Sequence, residues 1–146
     1  MAAAKMSVAE LEKFLHEEFP QAFSDGDITI ESADGETCLL RRRFDERMLR
    51  PGGTVSGPTL MAMADFAMYV VLLSAIGPVG LAVTTNLNIN FLRKPAQRDL
   101  IAECRLIKLG KRLAVGEVQI YSEGEGEMVA HATTTYSIPP PEKRKR

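Results

Sequence analysis

The sequence predicts an α+β domain in which one long buried helix packs against an antiparallel meander, and three observations carry that prediction. Residues 57–77, GPTLMAMADFAMYVVLLSAIG, are almost wholly apolar. Two β-like runs precede them and four follow, with short turns among the last four. The chain has 146 residues, 45% apolar and 25% charged, which suits one domain with a sizeable core. Residues 1–138 are assigned to that domain. The remaining PPPEKRKR, 139–146, reads as a disordered basic tail whose main effect is solubility.

The first element is a helix over 7–18. Ser7 and Glu10 form a capping box, Met6 and Leu11 suit a hydrophobic staple, and Leu11, Phe14, Leu15 and Glu18 recur at helical spacing before Pro20 ends the run. Residues 27–32 and 35–44 then read as a hairpin around Ala33-Asp34-Gly35. Arg41, Arg42 and Arg43 are consecutive and so cannot share one face, which predicts a solvated edge rather than an anion patch.

The loop LRPGGTVSG, 49–57, leads into the central helix, 57–76. Ser56 is its N-cap, Pro58 suits the first turn, and Gly77-Pro78 stops it. After the helix, 81–92 alternate: Leu81, Val83, Thr85, Leu87, Ile89 and Phe91 fall on one face, and Thr84, Asn86, Asn88 and Asn90 on the other. Strands over 99–108, 111–122 and 127–138 follow turns at Lys94-Pro95-Ala96, Leu109-Gly110 and Gly124-Glu125-Gly126.

Composition excludes several classes of function. A net charge of −1 gives no electrostatic footprint for nucleic acid or an anionic membrane surface. The apolar stretch approaches the roughly 18 residues of a membrane span, but Asp65 lies near its middle and its flanks carry no anchoring pattern. The N-terminal MAAAKMSV lacks a signal-peptide apolar region, and Cys38 and Cys104 are far apart in sequence, so free thiols in the cytoplasm are expected. His16 sits among acids and reads as solvated, while His131 reads as sheet structure, so no metal site is expected. G-x-S-x-G, P-loop and dinucleotide fingerprints are all unmet, and no cofactor is expected.

Two residues in the long helix carry chemistry. The Gly57 N–H lies in the first turn, where the macrodipole is positive and Pro58 has no N–H to offer, so it is the leading donor to a polarised carbonyl. Asp65 is a carboxylate in apolar surroundings, which costs several kcal/mol unless it is paired or reached by solvent. It is the candidate general base or nucleophile. Eight residues at ~1.5 Å each separate the two by ~12 Å along the axis. They can serve one carbon only if a second copy of the helix runs antiparallel alongside, making a composite site in a two-fold dimer.

The segments RPGGTVSGPTLMAMAD, TTNLNINFLRKPA and AHATTTYSIP resemble the phenylacetate-type (PaaI-like) acyl-CoA thioesterases over roughly residues 37–138. That resemblance implies the hotdog fold, a sheet wrapped around a central helix. It also implies hydrolysis of an acyl-CoA thioester without metal or cofactor, by a homodimer or a dimer of dimers. Gly57 then matches the glycine that polarises the thioester carbonyl, Asp65 the acid, and Thr84 a hydroxyl that positions the attacking water. Ser56-Gly57-Pro58 replaces the common His-Gly-Gly, and Arg50 stands where an Asn orients the carbonyl. Arg50 and Ser56 are candidate substrate contacts. Met61, Met68 and Tyr69, spaced i±3 and i±4 from Asp65, are candidates for the acyl group; Arg93, Lys94, Lys111 and Arg112 are candidates for the CoA phosphates. A noncatalytic acyl-CoA-binding protein of the same fold is the alternative, followed by a hotdog dehydratase.

Overall fold

The computed structural model describes residues 3–23 and 26–144. Helix α1, Val8–Glu18, opens as expected: the Glu10 N–H donates to the Ser7 hydroxyl at 3.1 Å and the Ser7 N–H to the Glu10 carboxylate at 3.0 Å. Met6, Leu11 and Leu15 are buried beneath it. Strands β1 (Ile28–Ala33) and β2 (Thr37–Arg42) form the hairpin, with Gly35 at φ +88° and Asp34 accepting the N–H groups of Glu36 and Thr37. A 3-10 turn, Glu46–Met48, leads into a short hairpin of β3 (Leu49–Arg50) and β4 (Thr54–Val55) inside the segment expected to be a loop.

Helix α2 spans Gly57–Ile76, with 13 of its residues buried. It is long and apolar enough to cross a bilayer by composition, but it is mostly buried within the fold, as a core helix. Gly77, at φ +98°, stops it. Strands β5 (Val83–Phe91), β6 (Leu100–Leu109), β7 (Leu113–Ser122) and β8 (Met128–Ser137) complete one six-stranded antiparallel sheet in the order β1-β2-β6-β7-β8-β5. The sheet wraps α2, which lies mainly over β6 and β7, while α1 packs on β1 and α2. This is the hotdog arrangement.

The order departs from a simple meander. β6, β7 and β8 are consecutive neighbours, but β5 pairs with β8 and stands at the edge opposite β1. Because α2 carries the chain across the concave face, the strand that follows starts at the far side. The Arg41–Arg43 expectation also needs correcting, since β2 is interior. Arg41 does not stand solvated on an edge: it pairs with Glu31, Asp99 and Glu123. The tail carries one 3-10 turn at Pro141–Lys143, and Arg144 Nε donates to the Pro139 carbonyl at 2.8 Å; Lys145 and Arg146 lie outside the described residues.

Two core details follow from cross-strand register. Cys38 and Cys104 are direct partners across β2 and β6, buried and not joined by a disulfide, and a hydrogen bond with Cys104 together with burial pushes the Cys38 thiol well above its ordinary pKa. Gly116 in β7 makes room for the buried Met68 side chain. A Cβ there would lie 2.4 Å from Met68 Sδ and 3.3 Å from the Arg105 carbonyl oxygen.

Replacing Gly116 by Ala is therefore expected to cost about 1–3 kcal/mol and to lower Tm by about 3–10 °C. In a Met68→Ala background the added cost should shrink, which a double-mutant cycle by thermal unfolding reads directly. Acid should destabilise the fold. Backbone N–H groups hold Asp34 below the usual carboxylate range, hydrogen bonds from Arg47 bring Asp45 down to about 2, and a hydrogen bond with His131 lowers Glu117. Their folded pKa values lie below the unfolded ones, so their stabilisation is complete above about pH 4 to 5 and drains as pH falls through the folded values. Tm should be insensitive to these groups near neutrality and fall below about pH 4.

Candidate active site

The site is built at the start of α2 and along β5. The β3–β4 hairpin turns through Pro51-Gly52-Gly53, and Gly52 at φ +97° and Gly53 at φ +76° occupy conformations that side-chain-bearing residues rarely adopt. Gln97 Nε2 donates to the Gly53 carbonyl at 2.9 Å, and the Ser56 N–H to the Met48 carbonyl at 2.8 Å. These bonds fix the approach to the helix. Ser56 is the N-cap: its Oγ lies 2.9 Å from the Thr59 hydroxyl and accepts the Thr59 N–H at 3.4 Å. Thr59 is thereby satisfied, whereas none of the described hydrogen bonds uses the Gly57 N–H.

Gly57 opens onto a cleft of about 400 Å³ lined by Leu60, Phe91, Leu92, Arg93, Lys94 and Pro95. The Phe91 ring packs over the glycine, its nearest carbon 3.4 Å from where a Cβ would sit. Arg93 pairs with Glu127 at this rim. A larger concavity of about 800 Å³ lies on the other side of α2, against α1 and β1. Pro58, Thr59, Ala62, Met63 and Phe66 line it, but it reaches neither Gly57 nor Asp65.

Asp65, half-buried, answers the cost of its apolar surroundings through two hydroxyls. Thr84 Oγ1 donates to Asp65 Oδ1 at 2.6 Å. The Tyr136 hydroxyl lies 3.1 Å from the same Oδ1 and 3.1 Å from the Asp65 carbonyl oxygen. No described hydrogen bond uses Oδ2. Tyr136 is 4% exposed; burial, with the nearby Asp65 charge a lesser cause, holds its phenol well above the ordinary pKa, so it remains a donor.

Strict alternation put Thr84 on the face opposite Leu87, Ile89 and Phe91. The structure corrects this: the register shifts between Thr84 and Asn86, leaving Thr85 as the extra residue of a β-bulge. Thr84 then pairs with Tyr136, on the helix-facing side that β8 continues through Thr134, Ala132 and Ala130. Those residues face Leu87, Ile89 and Phe91 in turn. The hydroxyl read as a water-positioning group is bonded to the acid of its own chain.

The other candidates are spread over the molecule. Met61 is 40% exposed near Asp65 along α2, but Met68 is fully buried and Tyr69 is 7% exposed, its hydroxyl donating to the Gly80 carbonyl at 3.0 Å. Neither is brought to the surface beside Asp65. Arg50 is exposed on β3. Lys111 and Arg112 stand at the β6–β7 turn beside the end of β8, where Arg112 Nε donates to the Ile138 carbonyl. They lie at the opposite end of the sheet from Arg93 and Lys94. His131 pairs with Glu117 at 2.9 Å on the outer side of the sheet.

Tyr136 was missed by the sequence reading. One signal was available: alternation in the last strand puts it on the inner face, where a buried tyrosine hydroxyl needs a partner. Its partner lies 71 residues away, a separation that no local pattern spans.

The model of the thioesterase superfamily matches residues 52–129, from the turn before α2 into β8. A candidate thioesterase of Silicibacter sp. TM1040, known from its crystal structure, is 44% identical, with a TM-score of 0.85 over 94% of each chain. A candidate esterase of Saccharolobus solfataricus is 30% identical over 134 residues, 91% of this chain and 86% of that protein. Zebra fish thioesterase superfamily member 2 has the same fold at 16% identity, with a TM-score of 0.80 over 92% of this chain and all of that one. With its sheet-wrapped helix and a matched segment that contains Gly57, Asp65 and Thr84, the chain belongs to the thioesterase superfamily.

Proposed function

We propose that the protein is an acyl-CoA thioesterase of the PaaI-like type, working as a homodimer with two composite sites. The observation that carries the proposal is the placement of Gly57 and Asp65 at opposite ends of one edge strand. Phe91, at the end of β5, packs on Gly57, and Thr84, near its start, bonds Asp65. β5 is an edge strand with no fully buried residue, and Val83 and Phe91 are 56% and 52% exposed. Such an edge is a template for a second strand. Two β5 strands paired antiparallel about Leu87 and Asn88 bring the Phe91 end of one beside the Thr84 end of the other. Gly57 of one protomer then meets the partner subunit's Asp65, which removes the ~12 Å gap within one helix.

In that site the thioester oxygen accepts the Gly57 N–H, and the helix terminus stabilises the oxyanion that forms as the carbonyl is attacked. One such donor contributes ~3 kcal/mol. The partner subunit's Asp65 takes the proton of the attacking water, or attacks directly to give an anhydride that water opens. The C–S bond breaks, CoA leaves as its thiol, and a carboxylic acid is released. Ser56 holds the helix start in register, and Arg50 stands at the rim.

Arg93 and Lys94 line the cleft beside Gly57 and are positioned for CoA phosphates, with Arg93 released from Glu127 on binding. Lys111 and Arg112, distant within one chain, approach that end from the partner in the antiparallel pairing. The acyl group lies over the exposed side of α2 at Met61. Buried free thiols suit a reducing cytoplasm.

Thiol release from a panel of short, medium, long and aryl acyl-CoAs is expected from the wild type and should fall at least ~100-fold in Asp65→Asn with fold and assembly intact. Acyl-CoA binding without turnover by the wild type would instead establish the alternative, a noncatalytic binding protein. Asn86→Lys with Asn88→Lys places four ammonium groups around the proposed two-fold axis without touching the core. Sedimentation should then show a folded monomer, with kcat/KM lowered by at least ~100-fold. A fully active monomer would refute the composite site.

A further inference from the structure

We propose that Tyr136 is a positioning residue for the hydrolysis: with Thr84 it holds Oδ1 of Asp65, so that Oδ2 is the oxygen presented to water or the thioester. This inference rests on Asp65 being the base or nucleophile proposed above. Tyr136 and Thr84 are direct cross-strand partners on β8 and β5, and both hydroxyls converge on the same carboxylate oxygen, at 3.1 and 2.6 Å.

The convergence has two structural causes. The bulge at Thr85 turns Thr84 inward, and without it the Thr84 hydroxyl would face away from α2. Tyr136 is held in turn by its neighbours: its ring lies 6.1 Å from that of Tyr69, and Tyr69 is anchored to the Gly80 carbonyl. The Tyr136 hydroxyl also contacts the Asp65 carbonyl oxygen, so it locates the carboxylate relative to the helix backbone as well as to the strand. A carboxylate bonded through one oxygen has a fixed rotamer and one free oxygen. A nucleophile or base so fixed keeps the near-attack geometry that unimolecular reaction requires.

The role is tested with Tyr136→Phe, which keeps the ring in its buried slot, and Thr84→Val, which keeps the branched shape on an exposed strand. Each is expected to lower kcat ~10- to 50-fold with KM within twofold, since neither hydroxyl binds the substrate in the ground state. Thr84→Ser should restore most of the loss. In an Asp65→Asn background, Tyr136→Phe should change the residual kcat by less than twofold, because its effect passes through the carboxylate; a purely structural role would lower that residual rate too. Wild-type kcat in both Tyr136→Phe and Thr84→Val, with Asp65→Asn inactive, overturns the positioning role while leaving the base assignment standing. Full activity of Asp65→Asn overturns both. If Tyr136→Phe does not fold, Thr84→Val and Thr84→Ser decide whether Oδ1 is held for catalysis.

Discussion

The structure depends on covering a helix that is apolar almost all the way round. A single sheet covers one side of a helix, and α2 needs more than that. The sheet therefore curves around it, α1 closes the side next to β1, and the aromatic rings of Phe19 and Phe23 pack on Phe66. What remains uncovered is a stripe that includes Met61, next to β5, an edge strand with no fully buried residue. The uncovered stripe and the unpaired edge adjoin, so one partner can satisfy both.

Within that apolar helix the only charged side chain is Asp65. The fold does not bury Asp65 bare. It supplies two neutral hydroxyls instead of a cation, and both bond the same carboxylate oxygen. The helix start follows the same logic in reverse: Ser56 satisfies Thr59 and leaves the Gly57 N–H unspent.

Glycine supplies close approach at two places, and at one of them, Gly116, a side chain would collide. Gly116 admits Met68, which brings α2 down onto β7, and Gly57 admits the Phe91 ring, which ties the helix start to the end of β5. The distance between β5 and α2 is set at both ends by such contacts, ring on glycine at one and hydroxyl on carboxylate at the other.

Much of this was legible from sequence because it is local or periodic. The capping box at Ser7 and Glu10, the bounds of α2, Ser56 as its cap and Gly57 as its free donor all follow from residues within four positions of one another. The unusual Asp65 announces itself by standing alone among apolar neighbours. What tertiary structure decided involves long separations or a one-residue irregularity. The β5–β8 pairing joins residues 39 to 54 positions apart, the register shift at Thr85 reverses the face of Thr84, and the tyrosine that completes the acid's environment comes from the last strand. Helical spacing placed Met68 and Tyr69 beside Asp65, yet packing turned both into the core, because on a helix buried nearly all round spacing alone cannot say which face stays open. Sequence by itself determined which groups stand out as candidates, a lone carboxylate in an apolar helix and an N–H in its first turn, since residue type and helix position set their intrinsic properties. Only the folded sheet decided which of their atoms are satisfied and which remain free, because that depends on register between strands that local sequence does not encode.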